Sequence, residues 1–157
     1  IWENVTKVSL INKDGEIIEK DKKDFIVGYR NVDLKKNNFF ISANFLLKKN
    51  PLNNSLDTIK KYLKDRRSKQ PTGQPSCGSV FKNPHNAHAA NLIDSLGLKG
   101  YKIGGAYISE KHANFIISNK GTKSSDIENL IDLIQKKVYE KTKIFLETEV
   151  KFIGKKL

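Results

Sequence analysis

The sequence holds little of what would tie it to an oxidising compartment, a membrane or a polyanion. A single cysteine, Cys77, stands among 157 residues. No disulfide can close within the chain, which fits a reducing compartment. With no histidine beside it in sequence, Cys77 reads as a buried or bystander thiol rather than a reactive one. No apolar run approaches the roughly 18 residues of a membrane span. The opening IWENVTKVSL lacks a basic stretch leading into an apolar one, so no signal peptide is expected. Arginine is scarce. Of 29 basic residues only Arg30, Arg66 and Arg67 are arginines, and the other 26 are lysines.

That scarcity decides how the net charge of +12 is read. Such an excess makes a nucleic-acid partner the first thought. Arginine, however, is the preferred bidentate reader of phosphate and guanine. The lysines are spread along the chain, often beside asparagine, as a compositional bias on solvated faces would place them. Nucleic-acid binding is not expected as the main function, whereas an anionic small molecule needs only a local pocket.

With 38% hydrophobic residues the chain can build one ordinary domain or two small ones. The first fifty residues read as strands. VTKVSLI and EIIEK flank the turn NKDG as a hairpin, and DFIVGYR and FFISANFLL are two further candidates rich in β-branched and aromatic residues. The connector KKNPLNNS marks a boundary near Asn50 to Asn54, dividing the chain into residues 1–52 and 53–157. Beyond it, SLDTIKKYLKDRRSK carries Leu56, Ile59, Tyr62 and Leu63 at helical spacing behind Ser55 as a cap. NAHAANLIDSLGLKG predicts a helix from about Asn86 ending near Gly97. YKIGGAYIS and NFIIS predict short strands. SSDIENLIDLIQKKVYEKTK gives the clearest helix, with Ser125 and Glu128 at capping-box spacing and Ile127, Leu130, Ile131, Ile134 and Val138 on one face. FLETEVKFIG alternates, with Leu146, Thr148, Val150 and Phe152 on one side and Glu147, Glu149 and Lys151 on the other. Strands and helices without a regular βαβ rhythm predict an α+β fold.

Candidate chemistry is sparse on spacing alone. Ser79 follows Gly78, where backbone can approach a ligand closely. There is no nucleophile elbow, so hydrolase chemistry has no support and Ser79 reads first as a turn residue. Glu149 reads first as part of a solvated strand face beside Lys151. Arg30 is either a bidentate clamp for a carboxylate or a surface charge at a strand end. His85, His88 and His112 have no cysteine or acidic partner at ligand spacing, so no metal is expected. The glycines of GYKIGGAY form neither a dinucleotide fingerprint nor a phosphate loop.

Several blocks, taken in order, are no longer anonymous: GYRN, QPTGQPSCGSVFKNP, LIDSLGLKGYKIGGAYISEKHANFIIS and LETEVKFIG. Together, from Tyr29 to Gly154, they closely resemble the C-terminal part of the UDP-N-acetylenolpyruvoylglucosamine reductase family, with SEKHANF pointing to its type II branch. The resemblance implies a cytoplasmic flavoenzyme of peptidoglycan precursor synthesis that uses FAD and NADPH. It would reduce UDP-N-acetylglucosamine enolpyruvate to UDP-N-acetylmuramate. It implies that Ser79 donates a proton and that Arg30 and Glu149 flank the substrate carboxylate, the glutamate helping when it holds its proton. Asn83 matches a substrate-contacting asparagine. Arg67, His112 and Lys82 are carried over as substrate-binding, with Arg66, Arg67, Lys69 and Lys82 suited to a diphosphate. Tyr29 and Gly78 are carried over as lying against the flavin. Two departures stand out. Val32 occupies a position where the family pattern has serine, and the family's Gly-rich FAD-binding region is missing. The chain is therefore expected to be a fragment: the last strands of a flavin domain followed by a substrate domain, inactive alone. A noncatalytic UDP-sugar-binding remnant and a basic nucleic-acid-binding domain are the alternatives, and the oligomeric state stays open.

Overall fold

A computed structural model describes residues 1–49 and 54–154. The expected boundary at residues 52 and 53 lies outside the described residues. The chain forms two compact units, Ile1–Ser55 and Leu56–Leu157.

In the first unit, β1 (Val5–Asn12) and β2 (Ile17–Asp21) form the expected antiparallel hairpin. Asn12 shapes its turn: the side-chain oxygen accepts the amides of Asp14 and Glu16, each at 2.9 Å. DFIVGYR falls short of the expected strand. Lys22–Asp24 coils into a single 3-10 turn, because Asp21 accepts the Lys23 amide and Asp24 accepts the Asp21 amide. Only β3 (Val27–Gly28) remains, paired with β4 (Asn31–Val32) across the two-residue turn Tyr29–Arg30. β5 (Asn38–Phe45) returns along β1, giving the sheet order β2-β1-β5. Val5, Val8 and Leu10 are buried on one face, where Trp2, Phe25 and Leu34 pack on them. Phe39, Ile41, Phe45, Leu46 and Leu47 stay exposed.

The second unit opens with α1 (Ser55–Lys69), placed where its apolar spacing predicts. Leu56, Ile59, Tyr62 and Leu63 are nevertheless exposed along it. Then follow β6 (Ser76–Ser79), α2 (Ala89–Asp94), β7 (Lys102–Ile103), β8 (Ala106–Ile108), β9 (Phe115–Ser118) and α3 (Ser124–Thr142). The strands form one antiparallel sheet in the order β6-β9-β8-β7. α2 starts three residues later than expected: Asn86 takes a left-handed φ of 62°, so the helix cannot run through it. The apolar face of α3 packs as its periodicity predicts. Leu130, Ile131, Ile134 and Val138 join Val80, Phe81, Ile93, Ile108, Ile116 and Leu146 in one core. This mixture of helices with antiparallel sheets is the expected α+β class.

Two local expectations are corrected. The start of α3 is not the Ser125–Glu128 box. Its N-cap is Lys123, whose amide donates to the Asp126 carboxylate at 3.1 Å. Asp126 also accepts the Gly105 amide at 3.1 Å, so one tertiary hydrogen bond fixes both the helix start and the β7–β8 turn. A Cβ on Gly105 would lie 2.9 Å from the Thr122 Cα, so the turn has room only for glycine there. The final segment is not a regular strand either. It meets the residues that follow β6 at one isolated bridge, Phe81 opposite Thr148. The expected alternation holds for buried Leu146 and packed Val150 and fails at Phe152, which is exposed.

Leu146 has no accessible surface. Truncating Leu146→Ala is expected to cost about 2–5 kcal/mol of unfolding free energy in denaturant; a loss below about 1 kcal/mol would show that the segment is not docked. The Asp126 carboxyl is held below its ordinary value by the Gly105 and Lys123 amides that donate to it. A lowered value stabilises the fold above the unfolded carboxyl's titration, and that stability is lost as pH falls through the folded one. Asp126→Asn is therefore expected to flatten the loss of stability on acidification below about pH 4. Identical acid limbs in the two proteins would refute this.

Candidate active site

Ser79 owes its place to a mismatch between two strands. Ser76 faces Ile117 and Ser79 faces Phe115, so Cys77 and Gly78 together oppose Ile116. One extra residue has to be absorbed, and the strand does so by a bulge. Gly78 takes φ +81°, in the left-handed region that costs a side-chain-bearing residue. A Cβ there would meet nothing within 4 Å, so the conformation, not crowding, calls for glycine. Ser79, half-buried, is the last residue of β6. Cys77, expected as a buried or bystander thiol, is exposed. A cavity of about 550 Å³ lies beside it, lined in part by Ile127, Ile131, Val150 and Phe152.

Immediately after Ser79 the chain dives into the core, with Val80 and Phe81 each 1% exposed. Both edges of this dipeptide are tied. On one side the Val80 amide donates to the Asn114 carbonyl at 2.9 Å. The Phe81 amide donates to Asn114 Oδ1 at 2.9 Å, and Asn114 Nδ2 donates to the Phe81 carbonyl at 2.8 Å. On the other side the Lys82 amide donates to the Glu147 carbonyl, and the Glu149 amide to the Val80 carbonyl, each at 2.8 Å. Ser79, Lys82, Asn83 and Glu149 are therefore carried on one hydrogen-bonded mount.

The remaining expected residues fall around it in different ways. Lys82 forms an ion pair with Glu147, a partner that sequence reading missed. Asn83 is exposed, and its Oδ1 accepts the Ala89 amide at 3.1 Å, which leaves its NH₂ group as a donor. His112 is half-buried, its ring edge-on to Phe115 at 4.9 Å between centroids. Its Nδ1 accepts the Asn114 amide at 3.3 Å, so the neutral ring carries its proton on Nε2. Burial lowers its pKa, and the nearby Lys99 charge adds to that, which keeps the ring neutral. Arg67 lies exposed in the last turn of α1, and its carbonyl accepts Lys111 Nζ at 2.6 Å. Arg66 and Lys69 share that turn, whereas Lys82 is engaged by Glu147. Ser109, buried at 2%, accepts the amides of Lys111 and His112 and shapes their loop.

Tyr29 and Arg30 belong to the first unit. They form the exposed turn of the β3–β4 hairpin, not a strand end. Arg30 takes φ +57°, a left-handed backbone that costs an arginine about 1 kcal/mol or more. Its guanidinium lies 5.9 Å from the centre of the Tyr29 ring, a loose cation–π contact. Val32, where the family pattern has serine, pairs with Val27 at the base of the same hairpin. Among the described residues, no three histidine, cysteine or acidic side chains gather as metal ligands. No described helix is long and apolar enough to cross a membrane.

Comparison with known proteins agrees with the order of the motifs. The family of the UDP-N-acetylenolpyruvoylglucosamine reductase C-terminal domain matches residues 70–153. The chain is similar to UDP-N-acetylenolpyruvoylglucosamine reductase of Legionella pneumophila (strain Corby), 48% identical over 154 residues, covering 98% of this chain and 50% of that protein. The enzyme of the same name from Nitrosomonas eutropha is 41% identical over 160 residues, covering 98% of this chain and 48% of the relative. The crystal structure of UDP-N-acetylenolpyruvylglucosamine reductase from Thermus caldophilus superimposes with a TM-score of 0.78 at 29% identity, covering 94% of this chain and 53% of that one. The chain spans about half the length of the curated relatives it matches. The mount that carries Ser79 and Glu149 lies within the matched domain, and the chain belongs to the UDP-N-acetylenolpyruvoylglucosamine reductase family.

Proposed function

We propose that this chain supplies the substrate-binding part of a reductase of peptidoglycan precursor synthesis. It acts on UDP-N-acetylglucosamine enolpyruvate, gives UDP-N-acetylmuramate, and draws its reducing power from NADPH through FAD. The observation that carries the reading is the bulge at Gly78. It ends β6 on a serine whose next residue is hydrogen-bonded to Glu149, so a hydroxyl and a carboxyl stand on one mount.

The residues present fit one wall of a flavin site, because the left-handed Gly78 leaves open space over the bulge. When bound, FAD supplies hydride to the terminal carbon of the enolpyruvyl alkene. The chain's own residues deal with what remains. Negative charge on the substrate gathers beside its carboxylate. Arg30 stabilises that charge through its guanidinium, and the Glu149 carboxylic acid does so by donating a hydrogen bond. Ser79 gives its hydroxyl proton to the carbon next to the carboxylate, which completes the reduced lactyl ether, and water returns a proton to the serine. Asn83 donates to the sugar nucleotide through its free NH₂. His112, neutral with its proton on Nε2, donates likewise, and Arg67 answers the diphosphate charge, joined by Lys82 when it exchanges Glu147 for the phosphate.

The chain needs a further part to act. It contains no Gly-rich phosphate loop. The apolar side chains of β5 and α1 are exposed, as surfaces that another polypeptide covers would be.

Two experiments test this. Co-production of this chain with the N-terminal half of the Legionella pneumophila relative is expected to give a yellow, flavin-loaded complex; a pair that associates but takes up no flavin would defeat the assignment. In that complex Ser79→Ala should leave flavin reduction by NADPH unchanged and slow the half-reaction with the enolpyruvyl substrate by about 10²–10⁴-fold. Equal slowing of both half-reactions would reject the proton-donor role.

A further inference from the structure

We infer that Asn114 is a positioning residue of this site: its side-chain amide, paired with both backbone polar atoms of Phe81, fixes the dipeptide from which the Ser79 hydroxyl and the Glu149 carboxyl are both carried. The inference rests on the roles given to Ser79 and Glu149 above.

Asn114 is 4% exposed. Burying an amide is costly unless both of its ends are satisfied. Here both are, and by a single residue 33 positions away, at 2.9 and 2.8 Å. Phe81 offers one N–H and one C=O, so the amide can sit only one way round. The side chain acts as an extra rung of the sheet, one residue beyond the bond between the Val80 amide and the Asn114 carbonyl. Three hydrogen bonds thus hold two residues on one edge, while Glu147 and Glu149 hold the other edge through Lys82 and Val80. Ser79 is joined to Val80 by a peptide bond, and Glu149 hangs from the Val80 carbonyl. A sideways shift of the dipeptide therefore moves both reacting groups together. A displacement of about 1 Å costs roughly 10²-fold in rate where geometry is critical.

Neither alanine nor ionised aspartate reproduces the bond pattern. Alanine leaves the Phe81 N–H and C=O without partners. Aspartate keeps the acceptor but sets a carboxylate oxygen against the Phe81 carbonyl. A protonated aspartic acid has the right shape and regains a donor, and burial favours that neutral form. This gives a signature that loss of packing alone would not produce.

The first test uses this chain by itself and does not depend on any role for Ser79. Amide hydrogen exchange in Asn114→Ala, normalised to the buried core of α3, should quicken at Phe81, Lys82 and Glu149 alike, by about tenfold or more for each hydrogen bond lost. Faster exchange at Phe81 with Glu149 unchanged would overturn the shared mount. The second test uses the flavin-loaded complex. Asn114→Ala should slow the substrate half-reaction by about 10²-fold with flavin reduction by NADPH unchanged. Asn114→Asp should recover rate as pH is lowered, whereas Ser79→Ala should show no such recovery. If Asn114→Ala does not fold, Asn114→Asp carries the comparison through its pH profile. Parent-like rates in the Asn114 variants, with Ser79→Ala slow, would sink the positioning role alone. A parent-like rate in Ser79→Ala would sink the reading of the serine, and this inference with it.

Discussion

The dipeptide Val80–Phe81 is where the proposed site and the stability of this molecule meet. Both residues are buried to 1%, yet the residues on either side of them reach water. A buried backbone must satisfy its polar groups, and here partners arrive from two distant segments. One is the loop before β9, through Asn114. The other is the irregular stretch at Glu147–Glu149. The hydrophobic effect draws Phe81 into the core with Leu130, Ile134 and Leu146. The hydrogen bonds then decide where the flanking polar side chains point. Ser79 and Glu149 are thus attached to backbone that cannot move unless the core moves.

The two units differ in how finished they are. In the second, α3 lies over a four-stranded sheet and seals a continuous core. In the first, among the described residues, Val5, Val8 and Leu10 alone are buried, while Phe39, Ile41, Phe45, Leu46 and Leu47 reach solvent. A unit with so small a core draws little stability from burial. The aromatic cluster of Trp2, Phe25 and Phe40, with ring centres 5.5–6.0 Å apart, is its main packed feature.

What could be read from the sequence was what nearest neighbours decide. Asn12 and Gly15 make the first hairpin through local hydrogen bonding and a left-handed glycine, and NKDG announces them. The stripe from Ile127 to Val138 announces α3. The site motifs were legible through family likeness, since spacing alone left Ser79 and Glu149 as ordinary turn and strand residues. What escaped was set by partners far along the chain. The Gly78 bulge exists only by count against β9. Asn114 is an ordinary loop asparagine until Phe81 lies opposite it. Asp126 displaced the expected capping box because the Gly105 amide also needed an acceptor. The alternation of the last segment was real up to Val150, but among the described residues it pairs with the stretch after β6 at one isolated bridge rather than as a strand of the sheet.

The outer edge of β5 has a colloidal consequence. Among the described residues β5 pairs only with β1, and its sequence NFFISANF carries no charge. An unpaired, uncharged, aromatic edge is a template for adding strands from other molecules. The charge of +12 opposes that, because copies repel one another before their edges meet. Salt shortens the reach of this repulsion to about 8 Å at physiological ionic strength. The same lysines that give the chain its charge therefore oppose the meeting of two open sheet edges, and they do so less well as salt rises.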